Sequence, residues 1–424
     1  MAGSDGEAAI ISLTNTSDLS LDVLANATAS ATGKASATAS ITSAVVQLAS
    51  GDVTRLTLDN SGAIDIVADA SAMGLGESAE AIARAFVTNG VGQTISDDTD
   101  TPDDNARAEG VLTNDGALTI HARARAFADS AARAFATISS GVSQIALDAE
   151  DASLELINNG TLSLLAEAQA SAQTEAYAFA FIADGIFQSA TANAMSGGTA
   201  AVSLTNTSVL SLKSLATATA TANTAETAVM ATASIGIDGT DSDGFYAGIA
   251  QFVYDADDAT ITLDNSGTIS ILAEANAQGT TDVAANTADA NAFIYAGVFQ
   301  GASYDDSNHE DDPDVANATA RLVLNNSGTI TIQALAKATG IRADASASLH
   351  EGMTQDAFEA ADGRAVINNS GSLNLLVQAV AKGTDYAKAK ASNDDPLSQY
   401  AAGNGDEGDI ASVTLNNTGS LAVI

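Results

Sequence analysis

A strand-turn-strand phrase that recurs nine times along the 424 residues constrains the fold of this chain more than any other feature. Its clearest copies span 56–66, 261–271 and 322–332, where apolar residues alternate on both sides of a polar turn. Self-similarity at a period of roughly 50 residues is typical of repeat architectures, in which one unit cannot bury its apolar face without its neighbours. Every copy carries an asparagine at the same place, and these are Asn15, Asn60, Asn114, Asn158, Asn206, Asn265, Asn326, Asn369 and Asn417.

A glutamine forms a second marker, which falls once in each of the eight complete units. The glutamines are Gln47, Gln93, Gln144, Gln188, Gln251, Gln300, Gln355 and Gln399. Identical amides stacked one strand spacing apart can donate to one neighbour and accept from the other. We therefore predict that both sets form structural ladders that fix the register of the units. The alternative is that they line a groove for a ligand.

The spacing between the two markers alternates along the chain. Separations of 13 or 14 residues from a glutamine to the next asparagine alternate with separations of 18 to 26 residues. This alternation predicts a structural period of roughly 100 residues, made of two units.

After each turn the apolar alternation continues into a run of small residues. In 162–172 the residues on one face are Leu162, Leu164 and then four alanines, while the other face carries mostly polar residues. A period of two indicates strand. Alanine is a good helix former, so helix is the competing prediction, but the helical spacing i, i+3, i+4 is absent. We expect two sheets that lie closer than the roughly 10 Å of ordinary face-to-face packing.

These patterns predict an all-β fold, specifically an elongated β-solenoid with a thin alanine-rich core. Its units of about 50 residues are expected to pair into double repeats of about 100 residues. Residues 1–8 are predicted to be an N-terminal extension, and 9–424 a single domain of eight units and a partial ninth.

The composition restricts the classes of partner. The formal net charge of −38 argues against nucleic acid and against anionic membrane surfaces. No apolar stretch reaches the roughly 18 residues of a membrane-spanning helix, so membrane insertion is not expected. Cysteine is absent, which removes disulfides and thiol nucleophiles. The segment 1–7 lacks a basic and then apolar signal pattern.

The Asn-Ser-Gly-[Thr/Ala]-Ile-x-Ile turns, followed by alanine-alternating strands, resemble the β-strand repeats of large exported bacterial proteins. Autotransporter passengers and filamentous-haemagglutinin-like adhesins are examples. The resemblance implies a secreted or surface-displayed bacterial β-solenoid with a structural or adhesive role and a surface receptor or polysaccharide as partner. No secretion domain or outer-membrane barrel is recognised in this chain.

The ends of the repeat region predict self-association. The first strand starts near Ala9, and the ninth copy stops as its second strand begins. Uncovered strand edges are templates for pairing, and contacts between unlike ends repeat indefinitely. We expect end-to-end stacking into a filament, with a segment cut from a larger secreted adhesin as the alternative. An outward apolar column is predicted either to make lateral contacts or to be covered within its own unit: Leu24, Val67, Leu165, Leu215, Leu272, Leu335 and Leu376.

Acidic loops raise the possibility of calcium, which prefers several oxygen ligands. The candidate ligands are Asp97, Asp98, Asp100, Asp103, Asp104, Asp305, Asp306, Asp311 and Asp312. The alternative role is charge that favours solubility and discourages wrong edge pairing.

An enzyme is not expected. The three histidines, His121, His309 and His350, stand in unrelated contexts, and the best basic cluster is Arg123, Arg125 and Arg133 near His121 without a recurring acidic pair. A carbohydrate-active β-helix enzyme is the alternative. A regular ice-binding lattice is not expected either, because Glu167 and Gln169 interrupt the threonine pattern of 217–221.

Overall fold

The computed structural model describes residues 8–96, 106–192, 198–221, 228–236, 246–279, 287–303, 318–358, 362–402 and 410–424. These residues form an all-β structure without a helix, which confirms the predicted class. The strands are β1 (Ala8–Asn15), β2 (Ser20–Ala31), β3 (Lys34–Ser50), β4 (Val53–Asn60), β5 (Ala63–Gly74), β6 (Glu80–Ser96), β7 (Arg107–Asn114), β8 (Ala117–Phe127), β9 (Ala131–Ala149), β10 (Asp151–Asn158), β11 (Thr161–Ala172), β12 (Glu175–Ala192), β13 (Thr199–Asn206), β14 (Val209–Ala220), β15 (Ala228–Ile235), β16 (Ile249–Tyr254), β17 (Asp258–Asn265), β18 (Thr268–Gln278), β19 (Thr287–Ser303), β20 (Thr319–Asn326), β21 (Thr329–Phe358), β22 (Asp362–Asn369), β23 (Ser372–Ala401), β24 (Ile410–Asn417) and β25 (Ser420–Val423).

Each repeat supplies strands at three positions. The first strand ends on the marker asparagine, the second follows the turn, and the third carries the marker glutamine. The nine first strands form one sheet in the order β1-β4-β7-β10-β13-β17-β20-β22-β24. The second and third strands belong to a sixteen-stranded sheet, in which β21 and β23 run through both positions. Long parallel sheets are thereby confirmed.

One repeat forms one layer of the structure. The marker Asn114 pairs with Asn60 on one side and with Asn158 on the other, and this register is kept at every step. Odd-to-even and even-to-odd steps use the same parallel pairing. The prediction that a double repeat of about 100 residues is the structural period is therefore wrong, because a longer connection adds chain outside the sheets without shifting the strand register.

Alanine fills the core between the second and third strands, as the alternation predicts. Ala122, Ala124 and Ala126 of β8 and Ala132, Ala134 and Ala136 of β9 are fully buried. Facing strands such as β8 and β9 bring Cα atoms within 8 Å of each other, closer than the roughly 10 Å of ordinary sheet packing. Because each buried methyl group contributes only about 0.8 kcal/mol, stability depends on the number of stacked layers.

Glycine is required at two positions of the repeat. In the turn, a Cβ on Gly116 would overlap the carbonyl oxygen of Gly62 in the layer below. In the bend of the third strand, a Cβ on Gly141 would overlap the Leu164 side chain and would lie 2.5 Å from the carbonyl oxygen of Gly185. Stacked backbones approach too closely at both places for a side chain. This explains why a glycine, Gly141, stands three residues before the marker Gln144.

Among the described residues, the first strand begins at Ala8 and the last ends at Val423. The described residues contain no helix with the length and apolar character needed to cross a membrane.

Candidate functional site

The marker asparagines stand in one column on the first strands, and all of them except the exposed Asn417 are buried. Each Nδ2 donates to the Oδ1 of the asparagine in the next repeat, from Asn15 to Asn417, over distances of 2.7–2.8 Å. The same Nδ2 also donates to the carbonyl oxygen that begins the second strand of that next repeat, as Asn114 does to Thr161 at 3.0 Å. The ladder thus joins the turns of successive layers.

The marker glutamines form a second column with the opposite direction. Each Nε2 donates to the Oε1 of the glutamine in the preceding repeat, from Gln399 back to Gln47, over distances of 2.7–2.9 Å. The same Nε2 reaches a carbonyl of the following first strand, as Gln144 does to Glu155 at 3.1 Å. The two ladders therefore run antiparallel along the stack.

The opposite directions give the two ends different hydrogen-bonding character. At the C-terminal end, Asn417 Nδ2 and Gln399 Oε1 have no ladder partner among the described residues. At the N-terminal end, Asn15 Oδ1 has none, while Gln47 Nε2 donates to Thr57. The C-terminal end thus presents the donor Asn417 Nδ2 and the acceptor Gln399 Oε1. The N-terminal end presents the matching acceptor Asn15 Oδ1 and donor Gln47 Nε2.

A third, outward amide ladder lies beside the turns of repeats six to nine. Asn325 donates to Asp264, Asn368 to Asn325, and Asn416 to Asn368, over 2.7–2.8 Å. These side chains line a shallow polar groove of about 500 Å³ together with the turn residues Ser266, Ser327, Ser370 and Thr418. The marker asparagines Asn265, Asn326 and Asn369 also line it, although each is only 2% exposed.

A charged cluster occupies the outer face of the second strands. Arg123 Nε lies 2.9 Å from Glu167 Oε2, and Arg125 donates to Asp69 over 2.7 Å. His121 is 9% exposed, and its Nε2 lies 3.6 Å from Glu167 Oε2. The sequence interpretation recognised the basic residues but not the acidic ones, because Asp69 and Glu167 come from the neighbouring repeats.

The third arginine of the predicted cluster lies elsewhere. Arg133 belongs to β9, where it contacts Glu175 at 3.5 Å and lies 5.6 Å from the centre of the Tyr177 ring. The grouping of Arg133 with His121 is therefore wrong, because the chain turns between β8 and β9 and places the two residues on different, facing strands of the same layer.

The cluster does not provide a proton donor at Glu167. Its contact with His121 and its ion pair with Arg123 lower the pKa of Glu167 to about 2, although partial burial opposes the shift. A general acid of a glycosidase instead needs a raised pKa. Glu167 is held as a carboxylate and serves the packing of the face.

Burial raises the pKa of four other carboxyl groups, those of Asp184, Asp289, Glu351 and Asp356. Burial raises the pKa of Asp184 to about 7, and an amide hydrogen bond from Ala247 offsets only part of this. Burial and the nearby Glu351 raise the pKa of Asp356 to about 6. Asp184 lies in the fourth repeat and Asp356 in the seventh, so they do not form an acid pair.

An aromatic-walled slot opens on the outer face of the third strands. Its cavity volume is about 720 Å³, and Phe179, Phe181, Phe293 and Tyr295 form its apolar walls. The remaining lining residues are Thr232, Ser234, Gly236, Ile294, Ser348 and His350. The sequence interpretation missed this slot, although phenylalanine at the same place in units two, four and six (Phe86, Phe181, Phe293) is a readable signal.

The predicted outward apolar column is divided in two. Leu24, Val67 and Leu272 occupy one column, whereas Leu215 and Leu335 occupy the next. His121, Lys213 and Gln333 interrupt the first column. Leu24 is 58% exposed, and the others, including Leu165 and Leu376, are half-buried. The face is therefore a broken stripe.

The predicted calcium ligands fall outside the described residues. This holds for the group Asp97–Asp104 and for the group Asp305–Asp312, and His309 lies outside as well. In the described ranges, no group of three or more histidine, aspartate or glutamate side chains is placed to hold a metal ion. The calcium hypothesis stays a prediction.

Comparison with known proteins gives no relative: no family model, curated protein or solved structure matches this chain.

Proposed function

We propose that this protein is a non-enzymatic structural and adhesive protein of the bacterial exterior or cell surface, built as a β-solenoid, and that it self-associates end to end into a filament. The observation that carries the proposal is the pair of antiparallel amide ladders with complementary ends. An assembly that continues these ladders has a built-in direction, because only unlike ends match.

The solenoid class is supported by the pairing of every repeat with the next in a parallel register. Such a stack is quasi-one-dimensional, and its stability grows with the number of layers. A long rigid spacer is a natural use for this property. The location and the adhesive role follow the family resemblance of the turn sequences.

The open C-terminal end supports stacking. In the last repeat, Val413, Leu415 and Val423 occupy core-facing positions but are 52%, 43% and 48% exposed, respectively. Burying apolar surface contributes about 25 cal/mol per Å². A further layer on β24 and β25 would cover these side chains and would pair the free strand edges.

The C-terminal end is stepped. The ninth repeat contributes β24 and β25, while the outermost third strand is residues 386–401 of β23. A copy that sets its Asn15 on Asn417 leaves room for one strand above residues 386–401. In the proposed filament, the free edge of β23 can accept an extended strand by strand addition.

A non-enzymatic role is consistent with the chemistry of the best-connected polar cluster. The Arg123 guanidinium pairs with the Glu167 carboxylate at 2.9 Å, and the pKa of Glu167 lies at about 2. We propose a surface receptor or a polysaccharide as the adhesive partner, with no nucleic acid and no membrane insertion.

Negative-stain microscopy with sedimentation velocity tests the assembly. We expect long uniform fibres for the wild-type chain. Val413→Lys places a charge at a core-facing position of the open edge and should leave short rods, since inward charges block edge pairing. Thr414→Lys, at the adjacent outward position, is the matched control and should keep the fibres. Isolated rods for the wild-type chain at every concentration would contradict the proposal.

A further inference from the structure

Aromatic rings on adjacent layers of this protein contact each other in tilted pairs. The ring centroids of Tyr295 and His350 lie 4.9 Å apart, those of Phe252 and Phe299 5.2 Å, and those of Phe358 and Tyr400 5.0 Å, with angles of 34–40° between the ring planes. These separations lie in the range of favourable ring pairs, about 4.5–7 Å. The strand spacing thus allows rings on adjacent layers to pack against each other.

Phe86, Phe181 and Phe293 occupy alternate layers of one column on the third strands, so Thr137 and Ser234 between them carry no ring. Phe181 and Phe293 share a column on the third strands, and the residue between them is Ser234 of the fifth repeat. Two strand spacings separate the walls by about 9.6 Å. A ring placed halfway would lie about 4.8 Å from each wall, which is a stacking distance. The 720 Å³ cavity lies at this gap.

The floor and rim of the gap are polar and nearly uncharged. Thr232 and Ser234 offer hydroxyl groups at the base, and Ser348 lies at the same column position two layers away from Ser234. Among the lining residues that the structure describes, only His350 and Tyr295 have titratable side chains. His350 Nδ1 lies 3.4 Å from Asp394 Oδ2.

This combination fits a saturated sugar ring better than a purely aromatic group. The two faces of a pyranose carry C–H groups that pack on aromatic rings, while its edge carries hydroxyls that need hydrogen-bond partners. Ligand sites in general combine apolar walls with a few placed polar groups. The net charge of −38 repels acidic polysaccharides, so the matching ligand is neutral.

We infer that the slot between Phe181 and Phe293 binds one pyranose ring of a neutral polysaccharide, held between the two phenylalanine faces over the hydroxyls of Thr232 and Ser234. The inference deepens the adhesive part of the proposed function and rests on it. It does not depend on filament formation.

Isothermal titration calorimetry of the full chain with two neutral probes, cellohexaose and chitohexaose, tests the inference. We expect saturable binding of at least one probe with a dissociation constant at or below about 1 mM. Phe181→Ala or Phe293→Ala should weaken it at least tenfold. Ser234→Phe should abolish it, because the new ring completes the stack and fills the slot while leaving both walls in place.

The control variant is Ser40→Phe, which makes the same change in the same column of the first repeat. It should bind like the wild-type chain, and circular dichroism should show that every variant is folded. Absence of binding of both probes, or equal binding by Ser234→Phe, overturns the inference. A change in sedimentation with Ser234→Phe and no binding of either sugar also overturns it, since the slot is then a contact between copies. Fibres seen by microscopy would stand in either case, so the two proposals fail separately.

Discussion

Asn114 Nδ2 donates a hydrogen bond of 2.7 Å to Asn158 Oδ1 in the next repeat, and both side chains are fully buried. This single relationship, repeated along the first strands, sets the direction of the ladder. Each interior asparagine is donor and acceptor at once, whereas the asparagine at the C-terminal end only needs to accept.

Replacing an interior ladder residue by its acid should be costly. In Asn158→Asp the carboxylate can accept from Asn114 but cannot donate to Asn206, and it adds a buried charge. We expect a loss of about 3 kcal/mol in the free energy of unfolding, measured by urea denaturation at pH 7.

The matched control is Asn417→Asp at the end of the same ladder. In the unassembled chain its Oδ1 accepts from Asn369, and a carboxylate does the same, so the comparison is made below the concentration at which fibres form. The stability should change by no more than about 0.5 kcal/mol. Equal losses in the two variants would show that the ladder has no direction in solution.

The bend glycines should tolerate no side chain. Gly141→Ala introduces a Cβ that would overlap Leu164 and crowd the carbonyl of Gly185. Overpacking of this kind costs about 1–3 kcal/mol. In contrast, the nearest atom to a Cβ on Gly92 is Val46 Cγ2 at 3.8 Å. Gly92→Ala should therefore be neutral or stabilising by up to about 1 kcal/mol. Thermal unfolding of both variants compares them, and a neutral Gly141→Ala would contradict the close stacking at the bend.

The buried carboxyl of Asp184 should make stability fall as the pH rises. Its folded-state pKa of about 7 lies above the ordinary value of 3.8, so the folded protein holds the proton more tightly. The stabilisation by this proton is fully present below pH 3.8 and is lost as the pH rises to about 7. Asp184→Asn should therefore be more stable than the wild-type chain at pH 8, by about 2 kcal/mol after allowance for partial solvation, and nearly equal at pH 4.

Asp394→Asn provides the control for this pH dependence. The hydroxyl of Ser392 lowers the pKa of the exposed Asp394 below its ordinary value. Both its folded and unfolded forms are therefore ionised from pH 5 to 8, and the variant should keep the wild-type pH dependence in that range. Urea denaturation at pH 4, 5 and 8 gives the comparison. An Asp184→Asn chain that loses as much stability as the wild type between pH 5 and 8 would refute the assignment.

The contribution of the charged face to stability should change with pH in the opposite direction, falling as the pH falls. Because the folded-state pKa of Glu167 is about 2, its ion pairs stabilise the protein above the ordinary value of 4.5 and are lost as the pH falls from there to about 2. Glu167→Gln should lower stability at pH 7 by about 1 kcal/mol, since the site is partly exposed. The difference between the variant and the wild type should shrink towards pH 2, and a constant difference would argue against the ion pairs.

The sequence predicts much of the fold but little of the side-chain arrangement on the outer surfaces. Asparagine and glutamine at fixed places, with alanine alternating between them, predict strands, parallel stacking and a thin core. The sequence does not indicate whether Asn158 donates to Asn206 or to Asn114, because a side-chain amide can be oriented in either direction. Asp69 and Arg125 lie 56 residues apart, and Arg123 and Glu167 lie 44 apart, so the varying repeat lengths hide these contacts in the sequence.

The wrong double repeat has a similar cause. Alternating connection lengths are a property of the loops, whereas the layer period is set by strand pairing, which Asn60, Asn114 and Asn158 keep at each step. The alternation does persist on the outer face, where Phe86, Phe181 and Phe293 occupy every second layer and leave Thr137 and Ser234 between them.

Distances between spin labels test the central claim, that one repeat forms one layer, most directly. The chain has no cysteine, so labels can be attached to introduced cysteines at equivalent outward positions. Double electron–electron resonance on the pairs Asp22→Cys with Ser270→Cys, Thr331→Cys or Asn374→Cys spans five, six and seven layers. The predicted distances are about 24, 29 and 34 Å, with one strand spacing added at each step. Distances of roughly half these values, as expected for two repeats per layer, or distances without a constant increment would contradict the account.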